Sequence, residues 1–180
     1  MHIKIPKFLS AEECKLIEKT LLEKEQEILN LPANTDYYPG TTARYEQYNF
    51  LKFVPEIDIT SKFFDLAIMQ DENEFWIQCW GNVLNKGDAI KIHSHGLPNS
   101  IFYAANIFIS GPDDCFTYYD DTGHVSNNAG ELHLIDCYLE HSVKENINEQ
   151  PRLSIACDIH FKDPKDFENY DKRIIYANRN

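Results

Sequence analysis

Residues 75–110 read FWIQCWGNVLNKGDAIKIHSHGLPNSIFYAANIFIS. Three β-type runs follow one another here, at 75–84, 89–95 and 100–109. Turn residues such as Asn85-Lys86-Gly87-Asp88 part them, and no helical pattern intervenes. The same grammar continues in CFTYYD (115–120), ELHLID (131–136), SVKEN (142–146) and RLSIACDIHF (152–161). Gly111-Pro112-Asp113-Asp114, Gly123, Asn127-Asn128-Ala129-Gly130 and Pro151 punctuate it. Short strands joined by turns predict an antiparallel sandwich or barrel rather than a parallel βαβ sheet.

The chain before this block has a different character. IKIPKF (3–8) alternates like a short strand, and LSAEECKLIEKTLLEKEQEIL (9–29) reads as a helix. Ser10 is its cap, Glu13 completes a capping box, and Ile17, Leu21 and Ile28 mark one apolar face. Pro32, Pro39 and Gly40 make 30–42 a loop. The aromatic-rich segment 43–54 reads as a strand, and 58–70 as a second helix capped by Asp58 or Ser61. The expectation is one domain over 1–180, with N-terminal helical support over about 1–73 and a mostly β core over about 74–162.

Composition excludes several classes of function. The 180 residues carry 17 basic and 29 acidic side chains, a net charge of −12. A surface of that sign repels phosphate, so neither nucleic acid nor an anionic membrane is expected as a partner. No apolar run approaches the roughly 20 residues that span a bilayer. The opening MHIKIPKFLS has no apolar signal core, and the five cysteines (Cys14, Cys79, Cys115, Cys137, Cys157) form no CxxC pair. Reduced, buried thiols in a cytoplasmic protein are expected.

The histidines carry the chemistry. Strand side chains alternate, so His93 and His95 point the same way and can reach one metal ion. His141, after a later strand and turn, is the natural third ligand. His2, His124, His133 and His160 read as ordinary surface or core histidines. Arg152 opens the strand after His141, with Ser154 on the same face. A guanidinium facing into a sandwich needs an anion, and its planar fork suits a carboxylate.

Together, His-Ser-His, SIFYAANIF, Gly130 with ELHLIDCYLEH, and RLSI resemble the Fe(II)/2-oxoglutarate-dependent oxygenase superfamily. The segment 79–95 is similar to the lead-in of bacterial and phage members, and 3–14 to the entry strand and helix of prolyl-hydroxylase-like ones. The resemblance implies a double-stranded β-helix (jelly roll, cupin-like) holding Fe(II) and 2-oxoglutarate. His93 matches the first metal ligand, His141 the distal one, and Arg152 with Ser154 the cosubstrate clamp. It gives Tyr103 and Asn106 as cosubstrate-binding, and Trp80 and Asn82 as pocket-lining. The departure is His95, where the superfamily carries Asp or Glu. Three histidines hold the metal, or a carboxylate such as Asp88, Asp120 or Asp136 completes the set, or His95 is the first ligand with His93 behind it; the first is favoured.

The activity so implied is hydroxylation of a small-molecule or peptide substrate with O2, releasing succinate and CO2. Segments 30–49 and 118–130 are the expected lids, and Arg44, Tyr45 and Tyr48 the expected substrate contacts from the first. Two other readings stay open: a three-His cupin-type metal enzyme that does not use 2-oxoglutarate, and a non-catalytic jelly-roll binding module.

Overall fold

Two long strands, β2 (Glu74–Leu84) and β9 (Arg152–His160), pair antiparallel from Trp76 opposite His160 to Leu84 opposite Arg152. β2 is rich in aromatic and β-branched residues, and both strands are almost entirely buried, as suits strands covered on both faces. A six-stranded antiparallel sheet is built around them in the order β1-β7-β4-β9-β2-β10. It adds β1 (His2–Ile5), β4 (Phe102–Ser110), β7 (Leu132–Asp136) and β10 (Ile174–Asn178). A second, four-stranded sheet has the order β3-β8-β5-β6, from β3 (Ile90–His93), β5 (Thr117–Tyr119), β6 (Gly123–Val125) and β8 (His141–Val143). The result is a jelly roll, described by the computed structural model over residues 1–34, 36–96 and 102–179.

Helix α1 (Ala11–Leu29) covers the outer face of the larger sheet. Its capping box is formed: Glu13 N donates to Ser10 Oγ at 3.2 Å and Ser10 N to Glu13 Oε2 at 2.7 Å. Ile17, Leu21 and Ile28 are fully buried against Phe50, Ile77, Ile107 and their neighbours in the main core. Each such side chain contributes about 1.5–3 kcal/mol of burial. A short α2 (Ile59–Phe64) starts at Asp58, whose side chain accepts from Ser61 N. Lys62 on α2 pairs with Glu13 at 3.0 Å and ties the two helices together.

Three features differ from the sequence reading. Residues 43–54 are not a strand but turns and parts of two 3-10 helices, Gly40–Arg44 and Phe50–Phe53. Tyr48, Asn49, Phe50 and Leu51 are all buried, but they carry no strand pairing and the backbone turns at Asn49. Asn49 turns the chain by accepting from Leu51 N and donating to Ile77 O and Arg173 O. The core also extends beyond residue 162, because a short α3 (Tyr170–Arg173) leads into β10 on the free edge of β2. The expected second lid, 118–130, is largely a hairpin in which β6 pairs with β5. Ser100 and Ile101 of the expected strand 100–109, and Thr35 of the first expected lid, lie outside the described residues.

Gly130 shows how closely the N-terminal segment is seated. It has φ +77°, and a Cβ there would stand 2.3 Å from Leu9 O, whose own N–H donates to Gly130 O. Gly123 has the same φ but open space around it. Gly130→Ala should therefore cost about 2–4 kcal/mol in urea unfolding, against about 1–2 kcal/mol for Gly123→Ala. Equal costs would mean that the contact with Leu9 contributes nothing.

Candidate functional site

A cavity of about 150 Å³ lies between the sheets. Alternate residues of three adjacent strands line it from the larger sheet: Trp80 and Asn82 of β2, Ala104 and Asn106 of β4, and Ser154, Ala156 and Asp158 of β9. The register makes them one surface, with Asn82 opposite Ser154, Asn106 opposite Ala156 and Ala104 opposite Asp158. The smaller sheet contributes Ile90, His93, Thr117, His141 and Val143.

His93 and His141 are direct cross-strand partners in β3 and β8, with ring centroids 4.3 Å apart. His95 lies just past the end of β3. Its backbone N and that of Gly96 both donate to Cys137 O, at 2.9 and 2.7 Å. This fold-back leaves the His95 ring 5.3 Å from His93 and 5.1 Å from His141. One potential ligand atom from each histidine lies within 4.8 Å of the other two. Nδ1 of His93 contacts Lys91 O at 2.9 Å, and Nδ1 of His141 contacts Leu139 O at 3.0 Å. A carbonyl can only accept, so the neutral rings carry their proton on Nδ1 and keep the Nε2 lone pair for a metal. Nδ1 of His95 instead meets a carboxylate, Asp158 Oδ1, at 2.5 Å.

These surroundings set the protonation states. Burial, reinforced by the neighbouring His95, pushes His93 down to about 4. Burial and then the charges of His95 and His93 push His141 well below the ordinary histidine value. For His95 burial acts downward as well, but the charge and hydrogen bond of Asp158 outweigh it and raise the pKa. Below about pH 6.5 and above the His93 pKa, His93 and His141 therefore offer free lone pairs, while His95 keeps a second proton that an incoming metal must displace.

Arg152 is the second unusual group. It is 1% exposed, and no carboxylate among the described residues pairs with it. Its Nε donates to Cys115 O at 2.9 Å, and its two terminal nitrogens donate to Ser154 Oγ at 3.1 Å and Thr117 Oγ1 at 2.8 Å. Ser154 and Thr117 both line the cavity. Thr117 sits opposite Val143, two residues along β8 from His141, so the guanidinium is roughly 7 Å of strand rise beyond the histidines. Tyr119, opposite His141, buries its hydroxyl beside the Asn106 amide, with no hydrogen bond of ordinary geometry among the described residues.

The structure gathers most of the sequence candidates and displaces three. His93, His95, His141, Ser154, Asn106, Trp80, Asn82 and Tyr45 all line the cavity, with Arg152 behind Ser154 and Thr117. Tyr103 does not. It is one residue out of phase with Ala104 and Asn106, so it faces the opposite side of the sheet and packs on Phe161. Arg44 is also elsewhere, donating to Leu29 O, the last carbonyl of α1, and to Leu31 O and Gly40 O in the loop beyond it. Tyr48 is buried in the core, bonded to the Gly81 backbone. The acids proposed to complete the metal set do not line the cavity either: Asp136 pairs with the amino terminus and Asp88 closes its own turn on Asn85 N. The carboxylate beside the histidines is Asp158, which sequence reasoning missed. Alternation continued from Arg152 through Ser154 and Ala156 arrives at it. Tyr38 and Thr42, from the first expected lid, complete the mouth with Tyr45.

No family model matches the sequence, and no curated protein matches it significantly. Solved structures do match. A prolyl-4-hydroxylase from Pseudomonas putida superposes with TM-score 0.58 at 12% identity, covering 88% of this chain and 91% of its own. A 2OG-Fe(II) oxygenase family oxidoreductase from Burkholderia pseudomallei gives 0.57 at 15%, covering 89% and 84%. HygX from Streptomyces hygroscopicus, solved with nickel and 2-oxoglutarate bound, gives 0.56 at 14%, covering 88% and 81%. The likeness is one of fold: the chain has the jelly roll of the 2OG-Fe(II) oxygenases, and within that fold it carries a three-histidine group. Among the described residues no helix is long and apolar enough to cross a membrane.

The protonation pattern is testable with Zn(II). From about pH 6.5 down to about pH 5, above the His93 pKa and below the raised His95 pKa, one proton is displaced per metal bound. Affinity should fall about tenfold per pH unit in that window. A fall near a thousandfold per unit would mean that all three rings start protonated.

Proposed function

We propose that this chain is an Fe(II)- and 2-oxoglutarate-dependent oxygenase that hydroxylates a small-molecule or peptide substrate in the cytoplasm, releasing succinate and CO2. The observation that carries the reading is Arg152, a buried guanidinium without an acidic partner among the described residues, one short diacid's length from three convergent imidazoles. An isolated buried charge is costly unless a ligand of opposite charge completes it. A diacid that chelates a metal at one end and meets Arg152 at the other answers both needs.

The residues fit these groups. His93, His95 and His141 would hold the iron, since imidazole is a good ligand for it. Arg152 would receive the far carboxylate, with Ser154 and Thr117 orienting its fork and the Tyr119 hydroxyl free to add a hydrogen bond. Iron with 2-oxoglutarate supplies the activation of O2. The protein's part is to bind, orient and exclude water. Trp80, Tyr45 and Tyr38 form the apolar mouth past which substrate enters. Asn82, fixed by Thr42 Oγ1 at 2.8 Å and donating to Ser154 Oγ at 3.3 Å, keeps the clamp side in register.

The test is an anaerobic titration of metal-free protein with Fe(II) and then 2-oxoglutarate, followed by the visible metal-to-ligand charge-transfer absorption and by succinate release in air. A saturable band is expected. Arg152→Lys should leave iron affinity unchanged and weaken 2-oxoglutarate at least tenfold, because an ammonium cannot replace the bidentate fork. Iron binding without a band would favour the cupin-type enzyme to which a carboxylate-free set of three histidines also points. The absence of any metal binding would favour a non-catalytic module.

A further inference from the structure

The three histidines differ in what holds their outer nitrogen. His93 and His141 contact backbone carbonyls, which are neutral. His95 alone contacts a carboxylate, Asp158, at 2.5 Å, with the two side chains 9% and 13% exposed. Asp158 is also the one acid lining the cavity among the described residues. It sits on β9 between Gln78 of β2 and Ala104 of β4, so both neighbouring strands fix its backbone. Three imidazoles bring no negative charge to a dication, and this carboxylate lies one hydrogen bond away from it.

We propose that Asp158 is the anionic member of the metal centre and acts through His95 as a positioning residue. This rests on the metal-binding reading above. Asp158 keeps the proton of the metal-bound His95 ring on Nδ1, turns Nε2 toward the ion, and makes that nitrogen more basic. It also supplies part of the negative charge that a directly bound carboxylate would give. His95 and Asp158 thus work as one extended ligand, with the charge displaced outward by the length of an imidazole.

The experiment is a double-substitution cycle read by Co(II) affinity and by the Co(II) visible spectrum, with no turnover involved. Asp158→Asn keeps the shape and an accepting oxygen but loses the charge. In the otherwise native chain it should weaken Co(II) 10- to 100-fold and alter the spectrum, with Asp158→Glu restoring part of the affinity. In a His95→Asp chain, which carries its carboxylate on the metal, the same Asp158→Asn change should alter affinity less than threefold. The iron-loaded Asp158→Asn protein should have a higher Fe(III)/Fe(II) midpoint potential than the native one. Unchanged Co(II) affinity in Asp158→Asn, with a native melting curve, would overturn the proposal. So would equal losses in both backgrounds, which would make Asp158 a residue of the fold and not of the metal. Failure of the native chain to bind Co(II) at all would instead remove the metal reading on which the proposal stands.

Discussion

A positive charge is locked inside this protein with no acid among the described residues to meet it. Arg152 is almost wholly buried at the start of the central strand β9, held by a backbone carbonyl and two hydroxyls. Hydrogen bonds to neutral groups engage three of its five N–H donors and leave its charge uncompensated. Burial accordingly lowers its pKa, with no carboxylate acting in the other direction. A fold retains such a group at a cost of several kcal/mol unless something that binds there offsets it. Much of the site follows from that constraint: two hydroxyls hold the fork, the Tyr119 hydroxyl lies beside Asn106 with no hydrogen bond of ordinary geometry among the described residues, and three imidazoles converge roughly 7 Å of strand rise away.

The geometry that answers Arg152 comes from register. Because β3 and β8 pair at His93 and His141, two imidazoles arrive together without help from a flexible loop. Because β5 pairs with β8, Tyr119 and Thr117 fall on successive inward positions beside His141 and Val143. Because β2 and β4 flank β9, Arg152, Ser154 and Asp158 belong to one rigid strand. A one-residue slip in any of these pairings would turn the functional side chains to the opposite face. Seating of the N-terminal segment on Gly130, and of α1 on the outer face of the larger sheet, guards against such slips from outside.

Most of this was legible in the sequence wherever period-two alternation or capping chemistry governs. The strand series, the Ser10–Glu13 box and the spacing of His93, His95, His141 and Arg152 are local patterns that tertiary structure did not override. What could not be read has physical reasons. Tyr103 was placed in the cavity by analogy, and alternation from Asn106 puts it outside. Arg44 sits in a loop, where no period says which way a side chain points, and it bonds the end of α1. The segment 43–54 has a strand's composition, but tertiary packing buries consecutive residues of it. β10 is a short edge strand whose pairing with β2 depends on a partner some hundred residues earlier. The His95–Asp158 contact spans 63 positions and joins a chain bend to a strand, so only the assembled sheets reveal it.

The most direct measurement of the central claim is a crystal structure of the protein grown anaerobically with Mn(II) and 2-oxoglutarate, with the metal located by anomalous scattering. The account predicts one peak within bonding distance of Nε2 of His93, His95 and His141, the keto-acid end of 2-oxoglutarate on that metal, and its far carboxylate against the Arg152 guanidinium. A metal bound elsewhere, or a diacid that leaves Arg152 untouched, would contradict it.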